Sequence, residues 1–238
     1  MLDRPVVAFH GVTQSGCLSL AWTVRNDIVQ NGLPIEYHDG STGFRHEFLD
    51  DEGFYTARRF ICDHGIVQHP LLGDRATLIS MVREPVRRMI SVYYYLRERH
   101  PEYVADMEIE PWMERYGENF SQYRDFVPKD KLTESGGEKF KAAIEFLQEK
   151  VYLLGTCEEM GDFLAEVRNL LGITKFSELL VLDSGSSNPT RGKTIDPVLR
   201  QHIERCMPFD TAFYHAARAL RRHLKGVEQI LPTARERP

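Results

Sequence analysis

An arginine and a serine stand where a predicted strand runs into a predicted helix. Apolar residues 76–82 form the strand pattern that ends at Arg83. Pro85 suits the first turn of a helix, since its φ is already helical and the N–H that it lacks would have no intrahelical acceptor. Ser91 follows on the same helix. A guanidinium, a hydroxyl and a helix N-terminus together suit an anion, most plausibly a phosphate; the alternative is an ordinary junction with solvated arginines.

A histidine follows another predicted strand. The run Arg59–Cys62 reads as a strand, and Asp63, His64 and Gly65 come directly after it. An imidazole has a pKa near neutrality and therefore suits the removal of a hydroxyl proton. The alternative is that His64 is a polar residue that closes a strand. His69, a few residues on, is expected to be supportive rather than catalytic.

The first loop is a third place where chemistry is predicted. Residues 11–16 separate a strand at 5–9 from a helix at about 18–30. The backbone N–H groups from Ser15 to Ser19, through Gly16, Cys17 and Leu18, can surround a phosphate at the start of this helix. The loop contains no lysine and no Gly-x-x-x-x-Gly-Lys-Ser/Thr motif, which excludes a P-loop kinase or NTPase.

Composition limits the class of protein. The chain has 238 residues, 42% hydrophobic and 27% charged, with a net charge of −5. These values are typical of a globular domain and argue against a nucleic-acid partner. No apolar run approaches the ~20 residues of a membrane span, and no signal peptide opens the sequence. We predict no metal site, and a cytoplasmic protein with reduced thiols, from the scattered cysteines Cys17, Cys62, Cys157 and Cys206.

Strand and helix patterns alternate along the chain, which predicts an α/β fold with a parallel sheet flanked by helices. We expect one domain over residues 1–227 and a flexible tail over 228–238. Ligands bind at the carboxyl ends of such strands, so the loops after residues 9, 62 and 82 should converge on one site. The remaining predicted elements are a strand at 35–38, a loop at 41–58 with at most one helical turn, helices at 138–150, about 163–171, 196–206 and 209–224, and a strand at 151–154. Gly32 and Gly172 are predicted to stop the helices that precede them.

Residues 101–137 show no clear period but contain several aromatic side chains. One interpretation is a surface insertion that packs on its own aromatics. The other is a substrate-binding lid, because long loops in compact domains are often binding elements. In the second case Trp112 or Tyr116 would stack on sugar faces of an acceptor.

Over about two-thirds of its length, the chain resembles the carbohydrate sulfotransferases, in particular the bacterial sulfotransferase-family-2 proteins and the heparan sulfate 2-O-sulfotransferase group. The motif Arg83-Glu-Pro-x-x-Arg-x-x-Ser91-x-Tyr93 carries most of the resemblance, with Cys62-Asp-His64-Gly65 and Gly155-x-x-Glu158. The resemblance implies a P-loop-like fold that transfers a sulfuryl group from 3′-phosphoadenosine 5′-phosphosulfate (PAPS) to a hydroxyl of a carbohydrate or other small acceptor. The product is adenosine 3′,5′-bisphosphate (PAP), and no metal is required.

The resemblance also implies roles for individual residues. Arg83 and Ser91 would hold the 3′-phosphate, and His64 would be the general base. The loop residues Gln14, Ser15, Gly16, Cys17, Leu18 and Ser19 would hold the 5′-phosphosulfate, with Gln14 also stabilising the leaving phosphate. Arg191, in the Asn188–Lys193 loop, would lie over the cofactor. Glu158 would order the fold around the nucleotide. Asp210 would belong to a helix that serves mainly for packing.

Gln14 departs from the family pattern, because relatives place a lysine at this position. A neutral amide makes a weaker contact with developing charge than an ammonium does. Arg45, Arg58 and Arg59 are nearby in the sequence and are candidates for a replacement cation. Two hypotheses remain open: an active sulfotransferase, and a catalytically impaired sulfotransferase-like protein that binds nucleotide or acts as a scaffold. The oligomeric state is also left open.

Overall fold

The computed structural model describes residues 4–39, 46–66, 69, 72–104, 106–180 and 193–230. A five-stranded, all-parallel sheet forms the centre of the molecule, which confirms the predicted α/β class. Its order is β2-β3-β1-β4-β5. The strands are β1 (Val6–His10), β2 (Glu36–Asp39), β3 (Arg59–Asp63), β4 (Ala76–Val82) and β5 (Val151–Thr156).

The strand β1 lies at the centre of the sheet, between β3 and β4. Every residue of β1 and β4 is buried, as expected for parallel strands that are covered on both faces. The chain passes from β1 to β2 and β3 on one side and then to β4 and β5 on the other. The order therefore reverses at β1, and the crevice beyond its carboxyl end is where ligands of such sheets bind.

Helices cover both faces of the sheet. One hydrophobic core lies between the sheet and two helices, α5 (Gly136–Lys150) and α8 (Pro208–Ile230). A second lies between the sheet and α1 (Cys17–Asn31) and α6 (Met160–Leu171). Gly32 and Gly172 end α1 and α6 in the left-handed conformation, as predicted from their glycine stops. In the described residues the helices are α1 (Cys17–Asn31), α2 (Leu72–Arg75), α3 (Pro85–Arg99), α4 (Ile109–Tyr116), α5 (Gly136–Lys150), α6 (Met160–Leu171), α7 (Pro197–Cys206) and α8 (Pro208–Ile230).

Two segments differ from the sequence predictions. The described part of the predicted 41–58 loop contains two 3-10 turns, at His46–Asp50 and Glu52–Thr56. The last helix continues to Ile230, so residues 228–230 are helical where the sequence predicts a tail. Residues 231–238 lie outside the described part of the chain.

The aromatic segment at 101–137 is largely part of the core. It contains α4 and several 3-10 turns, and Trp112, Tyr123 and Phe126 are at most 1% exposed. The Trp112 ring lies against Tyr93 of α3, and its Nε1 donates to the Tyr103 carbonyl at 3.1 Å. The predicted stacking of Trp112 on a sugar is therefore wrong, because the ring has no exposed face. Tyr116 is partly exposed, and its stacking stays a prediction.

Gly155, in β5, provides a test of the packing between the sheet and α6. A Cβ at this position would lie 2.3 Å from the ring of Phe163. We expect Gly155→Ala to lower the free energy of unfolding by about 1–3 kcal/mol through overpacking. Gly161 in α6 is the matched control, since a Cβ there meets nothing within 4 Å; Gly161→Ala should be neutral or slightly stabilising. Urea unfolding of both variants measures the difference, and equal midpoints would contradict this account.

Candidate functional site

The first loop, His64 and the start of α3 meet at the carboxyl end of β1. The Gly11 carbonyl lies 2.5 Å from Nδ1 of His64, which follows β3. The carbonyl of Gln14 accepts a hydrogen bond from Nη1 of Arg83, which follows β4, at 2.9 Å. The predicted convergence of the three loops is confirmed.

The first loop is a tight turn closed on one carbonyl oxygen. The Val12 oxygen accepts from the Ser15 N–H (3.1 Å), the Ser15 hydroxyl (2.7 Å) and the Cys17 thiol (3.0 Å). Both side chains are buried inside the turn, and burial raises the pKa of the Cys17 thiol to about 11. Cys17 can therefore contact a ligand only through its main chain. The predicted phosphate contact of Ser15 does not fit this turn, because its N–H and its hydroxyl both donate to Val12. Leu18 is 59% exposed, and its side chain offers no polar contact.

Gly16 gives the loop its close contact with α6 and leaves the start of α1 open. Its φ is 85°, and a Cβ would lie 2.4 Å from the Met160 methyl carbon, so only glycine fits here. As the N-cap of α1, Gly16 provides no side-chain acceptor for the first-turn N–H groups. N–H groups in the first turn of a helix have no intrahelical acceptor and can donate to an anion.

Both predicted phosphate ligands contact Gln14. Arg83 reaches its carbonyl oxygen, and the Ser91 hydroxyl donates to its side-chain Oε1 at 2.9 Å. The donors of Arg83 and Ser91 thus converge on oxygen atoms of one residue. Gln14 has a φ of 61° and is the only non-glycine residue with positive φ in the described part of the chain.

The backbone of Arg83 is fixed by Gln122, a residue that the sequence analysis missed. The Arg83 N–H donates to Gln122 Oε1 at 3.1 Å, and Gln122 Nε2 donates to the Arg83 carbonyl at 2.9 Å. Gln122 is fully buried in the 3-10 turn at 122–126. The aromatic segment therefore positions the arginine of the site. The only sequence signal was a polar residue among buried aromatics.

Arg88 connects the first loop to two other parts of the molecule, and sequence analysis missed this role as well. Its Nε donates to the Thr13 carbonyl (3.0 Å), and its Nη1 donates to the Phe120 carbonyl (2.6 Å). Nη1 also lies 3.8 Å from the buried carboxylate of Asp210 in α8. Burial raises the pKa of Asp210 to about 6, an effect that the Arg88 charge opposes. Asp210 thus does more than pack the last helix.

His64 has one ring nitrogen engaged and one available. A carbonyl oxygen can only accept, so the short contact with Gly11 places the proton on Nδ1 and leaves the Nε2 lone pair as the basic site. The backbone N–H of His64 donates to Asp63 Oδ1 at 2.7 Å. A Cβ at Gly11 would lie 3.2 Å from the His64 ring, so the glycine allows this close approach. For His69, which was expected to be supportive, the structure gives a different neighbour: its Nδ1 lies 3.6 Å from Oδ1 of Asp50.

His10, the last residue of β1, lies close enough to His64 for the two charges to interact. Burial, followed by repulsion from His64, lowers the pKa of His10 to about 3. The His10 ring packs edge-on against the Phe126 ring, with 5.1 Å between the ring centroids. The Asp125 backbone lies close enough to oppose the lowering of the His10 pKa, although neither ring nitrogen has a partner at normal hydrogen-bond geometry within the described residues. His10 is therefore neutral near pH 7.

Glu158 joins three elements around the site. Its Oε1 accepts from the backbone N–H of Glu84 at 3.0 Å, and its Oε2 accepts from the Tyr214 hydroxyl at 3.0 Å. Glu84 is the N-cap of α3 and accepts from the Arg87 N–H. The end of β5, the start of α3 and α8 are thereby held together, which agrees with the structural role expected of Glu158.

The replacement cations considered from the sequence lie elsewhere. Arg59 begins β3, beside Val6 at the amino end of β1, so at ~3.3 Å per residue it is roughly 13 Å from the carboxyl edge. It pairs there with Glu36, and its neighbour Arg58 donates to the Leu171 carbonyl. The predictions for Arg58 and Arg59 are wrong, because both residues lie at the start of β3 and the site lies at the opposite, carboxyl end of the parallel strands. Arg45, Asn188 and Arg191 lie outside the described residues.

Two features are absent from the described ranges. Among those residues, no group of three or more His, Cys, Asp or Glu side chains is arranged to hold a metal ion. In the same part of the chain, no helix is both long enough and apolar enough to cross a bilayer.

Comparison with known proteins gives only distant similarities. No family model and no curated protein matches the chain. A retinol dehydratase solved with retinol and PAP is similar over 88% of this chain and 82% of that chain, at 13% identity and a TM-score of 0.34. A retinol dehydratase solved with androsterone and inactive cofactor PAP is similar over the same shares, at 16% identity and a TM-score of 0.30. Scores this low carry no argument, so the function is inferred from this chain's own residues.

Proposed function

We propose that the protein is a PAPS-dependent sulfotransferase that acts on a hydroxyl of a carbohydrate or other small acceptor. One observation carries the proposal: donors of Arg83 and Ser91 converge on two oxygens in the first loop, at the strand end where Nε2 of His64 has no hydrogen-bond partner among the described residues. The donor set fits a phosphate, since a guanidinium and a hydroxyl already bind oxygen atoms there.

In this function the chain's residues bind, orient and accept a proton. Arg83 and Ser91 would hold the 3′-phosphate, and the main-chain N–H groups of Gly16–Ser19, with the Gln14 amide, would hold the 5′-phosphosulfate. PAPS supplies the sulfuryl group. Nε2 of His64 would take the proton of the acceptor hydroxyl while the acceptor oxygen forms a bond to sulfur. At the same time the bond between sulfur and the bridging oxygen breaks, and PAP leaves.

The alternative is a catalytically impaired sulfotransferase-like protein that binds nucleotide or acts as a scaffold. Gln14 favours it, because a neutral residue takes the place of the family's lysine, and both Arg58 and Arg59 lie at the opposite edge of the sheet. Loss of one preorganised donor costs ~10²–10³-fold in rate. The alternative predicts nucleotide binding without transfer.

Two measurements separate these possibilities. The first is calorimetric titration of the purified protein with PAP, for which we expect micromolar-range binding. The second is transfer of labelled sulfate from PAPS to a panel of sugars and small alcohols. Binding with transfer supports the enzyme, and binding without transfer to any acceptor supports the impaired protein. Absence of PAP binding contradicts the enzyme and the nucleotide-binding form of the alternative.

A further inference from the structure

Gln14 uses both of the donors that are assigned to the 3′-phosphate. Its carbonyl oxygen accepts from Arg83 and its Oε1 accepts from Ser91, each at 2.9 Å. A phosphate bound by Arg83 and Ser91 would replace these two oxygens. We propose that Gln14 is an internal competitor for the 3′-phosphate, and that it determines the affinity and selectivity of the site for nucleotides. This inference rests on the proposed function.

The backbone conformation of Gln14 is a second observation that supports this inference. A left-handed conformation is unfavourable for a residue with a Cβ, because the Cβ approaches the following carbonyl oxygen. The contacts with Arg83 and Ser91 offset this strain. A ligand that takes both donors removes that compensation and lets Gln14 leave its strained conformation.

The competition depends on the 3′-phosphate of the ligand. PAP must displace the Gln14 oxygens, whereas adenosine 5′-monophosphate (AMP) carries no 3′-phosphate and leaves them in place. A contact between Gln14 and the 5′-phosphate would affect both nucleotides equally. The ratio of the AMP dissociation constant to the PAP dissociation constant therefore isolates the competitor role.

The test is calorimetric titration of the wild type, Gln14→Ala and Gln14→Leu with PAP and with AMP. Both substitutions remove Oε1, and leucine keeps most of the volume. We expect the AMP-to-PAP ratio to rise roughly three- to tenfold in both variants, since the net effect of one hydrogen bond is of this size. Gln30→Ala, which changes an exposed glutamine near the end of α1, is the matched control and should leave the ratio unchanged.

The outcomes distinguish this inference from the proposed function. PAP binding by the wild type with an unchanged or lower ratio in both variants overturns the competitor role and leaves the function standing. PAP binding by the variants alone supports the competitor in its strongest form. No PAP binding by any of the proteins overturns the proposed function and the inference with it. Thermal melting identifies a variant that fails to fold, and the other variant then decides.

Discussion

Replacing His64 by glutamine should lower the rate of sulfuryl transfer by ~10²–10⁴-fold, the usual contribution of a general base. The amide keeps a donor for the Gly11 carbonyl, which His64 contacts at 2.5 Å, but it has no basic nitrogen. Binding of PAP should be unchanged, since Arg83 and Ser91 are untouched. The measurements are initial rates with PAPS and an accepted acceptor, and calorimetry with PAP.

His69→Asn is the matched control for this variant. His69 is a nearby histidine whose Nδ1 lies 3.6 Å from Asp50, so its replacement should change the transfer rate by less than about threefold. A His64→Gln enzyme with wild-type turnover would eliminate His64 as the base. A loss of PAP binding together with turnover would show that His64 instead supports the first loop through Gly11.

Replacing Arg83 by alanine should weaken PAP binding by ~10–10²-fold, because a hydrogen bond to a charged group contributes about 1.5–3 kcal/mol. Arg83 also contacts the Gln14 carbonyl, so the first loop loses one of the three hydrogen bonds that it receives from Arg83, Arg88 and Ser91. AMP binding should change little, since AMP has no 3′-phosphate. Titration with both nucleotides makes the measurement.

Arg99→Ala serves as the control for general charge, because Arg99 is exposed at the far end of α3. We expect it to leave both affinities unchanged at physiological ionic strength, where the Debye length is ~8 Å. An equal loss of PAP and AMP affinity in Arg83→Ala would contradict the assignment of Arg83 to the 3′-phosphate. It would point instead to collapse of the first loop.

The sequence could predict features that depend on local chemistry. The runs at 5–9 and 76–82 predicted buried strands, and Pro85 and Gly32 predicted where a helix begins and another ends. Alternation of strands and helices predicted a parallel sheet. Because the loops at the carboxyl ends of such strands converge, the sequence also predicted that the loops containing Gly11, His64 and Arg83 meet. These predictions succeeded because each depends on neighbours in the chain or on a general rule of sheet topology.

Contacts between distant segments could not be predicted in this way. Gln122 holds the Arg83 backbone from 39 residues away, and Arg88 reaches the Thr13 carbonyl from 75 residues away. The aromatic segment has no clear period, since its side chains fill the space between α3 and α8 and follow no helix or strand repeat. Its interpretation as a lid therefore could not be tested without the packing of Trp112.

Residue 14 shows most clearly what the sequence determines and what the tertiary structure determines. The sequence by itself determined that the first loop lacks a lysine and that Arg83 and Ser91 are suited to an anion. Only the tertiary structure decided that these two donors meet on Gln14 and that Arg58 and Arg59 lie at the opposite edge of the sheet. Residue types specify which bonds a site can make, whereas the folded chain fixes which partners come within hydrogen-bond distance.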